Sequence, residues 1–262
     1  MGLGRVLGRP LARFLSKPRR RYERFVLGEE DKLRATLQPC DVLLVEGDSR
    51  ISTAIKYLSQ STWSHACIHV GDALRGGDYG DDAELVEADL VEGVIGVPVA
   101  KYAALNTRVC RPIGLSPEER RAVVQFVVAR LGHTYDLKNI FDLMRYLLPM
   151  PPVPSRWRRG LIAFGSGDPT RAICSTLIAQ AFQEVRYPIL PRYGTPEAGE
   201  DEEGRAEALL RQRHFTQFAP RDFDVSPYFE VVKPTLATGF DFHRLAWAEL
   251  PAETGGGGAE QG

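Results

Sequence analysis

Acyl transfer by a thiol needs three things: a nucleophile, a base to take its proton, and a group that orients the base. The stretch "RAICSTLIAQAF", Arg171 to Phe182, offers a candidate for the first. Counting from Cys174, an apolar stripe of helical period follows at Leu177, Ile178 and Ala181. Upstream, "GSGDPT" supplies two N-cap residues, Asp168 and Thr170, with Pro169 suited to a first helical turn. Cys174 therefore belongs on the inward face, within the first turn or two. There the unpaired N–H groups and the positive end of the helix dipole favour a thiolate. The same position equally suits a structural cysteine, because free Cys is among the most buried residue types. The local pattern admits both roles.

The base must be one of five histidines: His65, His69, His133, His214 or His243. His65 opens an alternating segment, "HACIHV", behind a Ser/Thr/Trp-rich mouth, "SQSTWSH". His69 falls on the same face of that segment, and His133 stands in the loop "LGHTYD". The acids that could orient an imidazole are Glu84, Glu87 and Glu92 on the next β segment. Spacing alone ranks neither set. Cys40, Cys67, Cys110 and Cys174 show no CxxC or Cys/His ligand spacing. The pattern thus argues for neither a zinc site nor a disulfide framework, and fits reduced thiols in a cytoplasmic setting.

These residues need elements to hold them. "CDVLLVEG" reads as a loop entering a strand at Val42–Val45, and "SRISTAIKYLSQS" has helical spacing at Ile51, Ile55 and Leu58. "WSHACIHVG" alternates with Ala66, Ile68 and Val70 on one face and His65, Cys67 and His69 on the other. Two short β segments surround Gly93, and "TRVCRPIG" gives another. "SPEERRAVVQFVVARLG" is a marked helix, with Ser116 as cap, Pro117 first, Glu118 and Glu119 in the first turn, and Gly132 as stop. Short strands flanked by helices, without regular βαβ alternation, predict an α+β fold. The expected organisation is a basic leader over 1–30, one catalytic domain over 31–250 and a flexible tail over 251–262.

The ordered fragments "CDVLLVEG", "STWSHACIHVG", "LVEADLVEGVIGVPV", "LGHTYDLKNIFDL", "ICSTLIAQAF" and "APRDFDVSPYFEVV" run across residues 38–232. In that order they resemble the circularly permuted NlpC-type cysteine hydrolases of the YiiX and lecithin:retinol acyltransferase-like group. The resemblance implies a permuted papain-like fold in which the His-bearing strands precede the Cys-bearing helix. Carried over position by position, it makes Cys174 the nucleophile, His65 the base and Glu87 the orienting residue. Tyr135, in the "YD" turn, and Trp63, in the mouth before His65, become the expected substrate-lining residues. The implied activity is cleavage of amide or ester bonds through an acyl-enzyme, without metal or organic cofactor. The substrate would be a small peptide, an amino-acid conjugate or a lipid. The competing expectation is a catalytically silent binding or membrane-associated module on the same fold. Two features depart from the family pattern: no signal peptide or lipobox of the kind envelope relatives often carry is expected here, and the "PMPPVPSRWRRGLIAFGSGDPT" connector with the acidic stretch "YGTPEAGEDEEG" is longer than the minimal fold needs.

Of 262 residues, 44% are hydrophobic and 26% charged, and the net charge is −1. That balance hides an asymmetry. Residues 1–24 carry eight Lys/Arg against Glu23 alone, a local charge of +7, which leaves the remainder at −8. No basic stripe recurs beyond the leader, so the body is not expected to bind nucleic acid. No apolar run approaches the roughly 20 residues of a membrane span, and no secretory signal pattern opens the chain. Leu3, Leu7, Leu11 and Leu15 recur between the arginines, a pattern suited to a basic amphipathic helix on an anionic membrane surface. The expected location is the cytoplasm, with peripheral membrane contact through residues 1–24. Binding to liposomes should then require anionic lipid, weaken at high salt and vanish when 1–24 are deleted. Salt-insensitive binding would overturn this reading.

Overall fold

The computed structural model describes residues 30–89, 92–134, 173–193, 210–211 and 213–237, with 239, 241 and 243. The leader, the tail, Tyr135 and the expected N-caps Asp168 and Thr170 lie outside them. Most of the acidic stretch lies outside as well.

The chain forms α1 (Glu30–Thr36), β1 (Val42–Glu46), α2 (Arg50–Ser59), β2 (His65–His69), β3 (Ala83–Asp89), β4 (Gly93–Pro98) and β5 (Asn106–Pro112). It continues through α3 (Pro117–Val128), α4 (Ile173–Glu184), β6 (Arg192–Tyr193), β7 (Leu210–Arg211), α5 (Pro220–Asp224), β8 (Phe229–Val232) and α6 (Pro234–Ala237). Six strands make one antiparallel sheet in the order β4-β3-β2-β1-β5-β8. The mixed helical and antiparallel architecture is the expected α+β class. β8 completes the edge beside β5, with Val109 opposite Val232 and Pro112 opposite Phe229.

The central strand explains the two layers. In β1, Val42, Leu43, Leu44 and Val45 are all buried, so neither face meets water. Val42 and Leu44 join Ala66, Ile68, Val86 and Ala88 in the larger core, against Leu177, Ile178, Ala181 and Phe182 of α4 and Val123 and Val127 of α3. Leu43 and Val45 join Cys67, Leu85, Val97 and Val109 in a second core, closed by Leu33 and Leu37 at α1 and by Val99 and Tyr102 in the turn after β4. Each fully buried Leu or Ile contributes roughly 1.5–3 kcal/mol. The alternation of β2 therefore has a physical reading: Ala66 and Ile68 serve one core, and Cys67 serves the other.

Local signals start and stop these elements. Ser116 caps α3 in a capping box, its side chain accepting from the Glu119 N–H while Glu119 accepts from the Ser116 N–H. Ser49 caps α2 by accepting from the Ser52 N–H. The entry to β1 is fixed by Asp41, a fully buried carboxylate that receives both Nε (2.9 Å) and Nη2 (2.7 Å) of Arg111 and the Gln38 N–H. Arg111 also donates to the Thr36 carbonyl, which ties α1 to the sheet. Such a pair tolerates burial because every charge has a partner.

Gly93 opens β4 at φ +83°, in the left-handed region. The Val94 N–H donates to the His133 carbonyl at 2.9 Å, and the Gly132 N–H to the Val94 carbonyl at 2.8 Å, clipping the strand to the end of α3. A Cβ at Gly93 would lie 2.3 Å from the His133 carbonyl oxygen. Gly93→Ala should therefore cost about 2 kcal/mol or more in urea unfolding, from the backbone penalty and the clash together. A loss below about 0.5 kcal/mol would show that the clip yields.

Candidate active site

α4 begins at Ile173, so Cys174 stands in its first turn, 5% exposed, on the face turned to the sheet. Helical N–H groups there have no intrahelical partners. β2 begins at His65, whose side chain is 24% exposed. Its Nε2 lies 3.0 Å from Oε2 of Glu87, and Glu87 is 2% exposed on β3. The helix of Cys174 packs against β2, and the His65 imidazole and the Cys174 thiol each favour the other's charged form. The structure thus places His65 against Glu87, with Cys174 at the start of a helix packed on the strand that His65 opens.

The sheet makes the meeting possible by opening. The register of β2 against β3 covers Ile68 opposite Val86 and His69 opposite Leu85, and among the described residues it stops there. The Val70 N–H donates to the Glu84 carbonyl on β3. By the two-residue repeat of a strand, the Ala66 N–H points the same way, beyond the end of the ladder. That N–H helps to lower the Cys174 thiol. By the same alternation His65 and Glu87 belong to the face covered by α1 and Tyr102, whereas Cys174 arrives on a helix covering the other face. His65 joins the two layers through the gap.

Glu87 receives more than one donor. Lys101 Nζ donates to Oε1, and the Tyr102 hydroxyl donates to Oε2, both in short contacts. Both residues lie in the turn Val99–Tyr102 that follows β4. Sequence reading missed them, because a Lys-Tyr pair after a strand carries no periodic signal. Burial pushes the Glu87 carboxyl up, but the His65 hydrogen bond and charge and the Lys101 charge reverse this and bring it to about 2. Burial opposes charging of His65; the Cys174 charge and the hydrogen bonds to Cys174, Cys67 and Glu87 outweigh it and hold the imidazole well above its ordinary value. Burial also opposes ionisation of Cys174. The His65 charge and hydrogen bond, the Ala66 backbone and the Ser175 hydroxyl outweigh it and lower the thiol. The Ser175 oxygen is buried with no well-aligned partner, so its help to the sulfur is the weakest of these. Tyr102, by contrast, is pushed well up by burial and the anionic groups beside it, and stays a donor.

The other thiols lack this setting. Burial pushes Cys40 and Cys110 up to about 12, and Cys67 is also raised by burial, though His65 partly offsets it. Ligand atoms of His65, Cys67 and Glu87 lie within 4.8 Å of one another, close enough to invite a metal reading. The donor set does not fit one. Both Glu87 oxygens already accept from Lys101, Tyr102 and His65, and an ammonium group on the carboxylate opposes a cation.

The remaining candidates lie apart. Trp63 is packed in the larger core, 7% exposed, with its indole N–H donating to Asp224 at 2.9 Å and the Arg108 guanidinium 5.0 Å over its ring. Tyr135 lies outside the described residues. His69 is buried, with burial lowering its pKa, beside Gln38 and Glu84. His133, His214 and His243 are exposed. Glu84 faces Arg34 at 3.6 Å, and Glu92 is exposed in the turn after β3.

No protein-family model matches the chain, and no curated protein matches it. Among solved structures, one described as the metalloprotein yiiX from Escherichia coli O157:H7 is similar to it at 18% identity and a TM-score of 0.43. The match covers 75% of this chain and 96% of that one. Among the described residues, no helix is long and apolar enough to cross a membrane.

The carboxyl of Glu87 is lower in the folded chain (about 2) than its ordinary 4.5. Its stabilising contribution is therefore present above about pH 4.5 and lost as pH falls toward 2, on the order of 3 kcal/mol in all. Urea unfolding of wild type and Glu87→Gln should show a stability advantage of the wild type that shrinks steadily below pH 4.5. A difference that stays constant with pH would refute the assignment.

Proposed function

We propose that this chain is a thiol hydrolase or acyltransferase of permuted papain-like architecture, acting on amide or ester bonds. The observation that carries the reading is the His65–Glu87 pair under the helix of Cys174, with that thiol lowered while Cys40, Cys67 and Cys110 are raised. A buried structural cysteine has no reason to be the one thiol lowered among the four.

The roles follow from proton bookkeeping. Glu87 is ionised and can only accept, so His65 Nε2 carries a hydrogen and the other ring nitrogen serves Cys174. That nitrogen takes the thiol proton and leaves a thiolate beside an imidazolium. The thiolate adds to the substrate carbonyl carbon, and the oxygen becomes an oxyanion within reach of the Cys174 backbone N–H at the helix start. The bond to the leaving amine or alcohol then breaks as His65 returns the proton to it. Water or a second acceptor, deprotonated by His65, attacks the thioester; the acyl group departs and the thiol is restored. A small peptide, an amino-acid conjugate or a lipid is the substrate class in keeping with the resemblance. The chain acts in the cytoplasm, with residues 1–24 as its contact to a membrane surface.

Iodoacetamide at pH 7 should alkylate Cys174 in the native protein at least about 100-fold faster than the other three cysteines, as followed by peptide mass spectrometry. His65→Ala should abolish that difference, and an activity-based acyl probe should form a thioester on the wild type but not on Cys174→Ala. Equal labelling of all four cysteines would overturn the reading.

A further inference from the structure

The Cys174–His65–Glu87 chain does not end at the carboxylate. Glu87 has two further donors, and they differ in kind. Tyr102 is buried and neutral, 5% exposed, and supplies a hydrogen bond without charge. Lys101 carries a full charge on a side chain that is 40% exposed. Neither is needed to place Glu87 on β3, because β3 pairs with β4 on one side from Ala83 to Asp89 and with β2 on the other. What they supply is electrostatic.

Resting on the nucleophile reading above, we propose that Lys101 is a positioning residue of the same site: its ammonium balances Glu87, so that His65 can release its proton to the leaving group instead of being trapped as an imidazolium. The geometry carries the argument. Lys101 and His65 lie on opposite oxygens of one buried carboxylate. An unbalanced carboxylate at 3.0 Å from the ring would favour the charged imidazole strongly, as a buried acid against a cation does. A cation on the far oxygen cancels much of that pull without touching the ring. With Lys101⁺, Glu87⁻, His65⁺ and Cys174⁻ the resting cluster sums to zero, which suits a site this enclosed. Tyr102 then fills the remaining lone pair on Oε2 with a donor that adds no charge. The groups facing His65 and Glu87 are Cys174 on α4, Cys67 on β2, and Lys101 and Tyr102 on the turn after β4. Lys101 is the only one of these that is cationic and solvent-accessible.

The signs can be worked out. Removing Lys101⁺ makes each deprotonation in the cluster harder, first loss of the thiol proton and then loss of the imidazolium proton. Both limbs of the pH profile for Cys174 reactivity should move upward together, by about one pH unit. A merely structural loss would lower the plateau and leave the limbs in place.

The experiment measures the rate of Cys174 alkylation by iodoacetamide from pH 4 to 10 in wild type, Lys101→Met, Lys101→Arg and Tyr102→Phe, with circular dichroism confirming the fold of each. Lys101→Met should displace both limbs upward by about one unit, and Lys101→Arg should restore the wild-type limbs. Tyr102→Phe, which removes no charge, should move them by less than half as much. If Lys101→Met fails to fold, Lys101→Gln, which keeps a polar group near Glu87 without its charge, gives the second measurement and should displace both limbs the same way. Superimposable profiles for wild type and Lys101→Met would overturn this proposal alone. A wild type without a preferentially reactive Cys174 would instead overturn the nucleophile reading beneath it.

Discussion

Burying an ionised carboxylate is the constraint around which the site is built. An unpaired carboxylate inside a protein either draws partners or takes up a proton. Glu87 draws His65, Lys101 and Tyr102, and no lone pair facing them is left idle. Because an ionised carboxylate accepts only, its presence fixes which nitrogen of His65 bears hydrogen, and hence which one faces the thiol. The same carboxylate makes the site sensitive to any change in the charges around it. The helix carrying Cys174 could dock in the same way without Glu87, but the proton inventory of its partner would differ.

A second constraint is that a sheet separates two cores. Residues on opposite faces do not ordinarily meet, because the strands between them are sealed by hydrogen bonds. Here the β2–β3 ladder covers Ile68 and His69 and releases β2 toward His65. The backbone N–H left over at Ala66 helps to lower the Cys174 thiol. One irregularity thus does two things: it lets a side chain from one layer touch a helix of the other, and it supplies a donor that lowers the thiol.

Much of this was readable in the chain. Alternation located β2, short apolar runs bounded by Gly and Pro located β1 and β3 to β5, and the Ser116 box and Pro117 located α3, because those signals are local. The pairing of β8 with β5 was not readable, since "FEVV" is short and its partner lies far back in sequence. Periodicity could not separate Glu87 from Glu84 and Glu92; what separates them is where β3 lies against His65, and that is tertiary. For Trp63 the chain showed its place before His65 but not the hydrogen bond of its indole N–H to Asp224, far along the sequence, which is tertiary. Lys101 and Tyr102 were invisible for want of any pattern in a four-residue turn.

The order of the parts along the chain has a consequence for biogenesis. His65, Glu87, Lys101 and Tyr102 lie within one continuous stretch that includes β2, β3 and β4, whereas Cys174 enters much later on α4. Chains emerge from the ribosome N-terminal end first and fold as the segments become available. The acid–base half of the site can therefore assemble during translation while the thiol has yet to be synthesised. A newborn chain carries the His65–Glu87 pair with no Cys174 beside it until α4 is made and docks, ahead of α5 and α6. Under the proposed roles, the sequence order keeps the nucleophile apart from its base until β2, β3 and β4 are already made, which a thiol-first order would not.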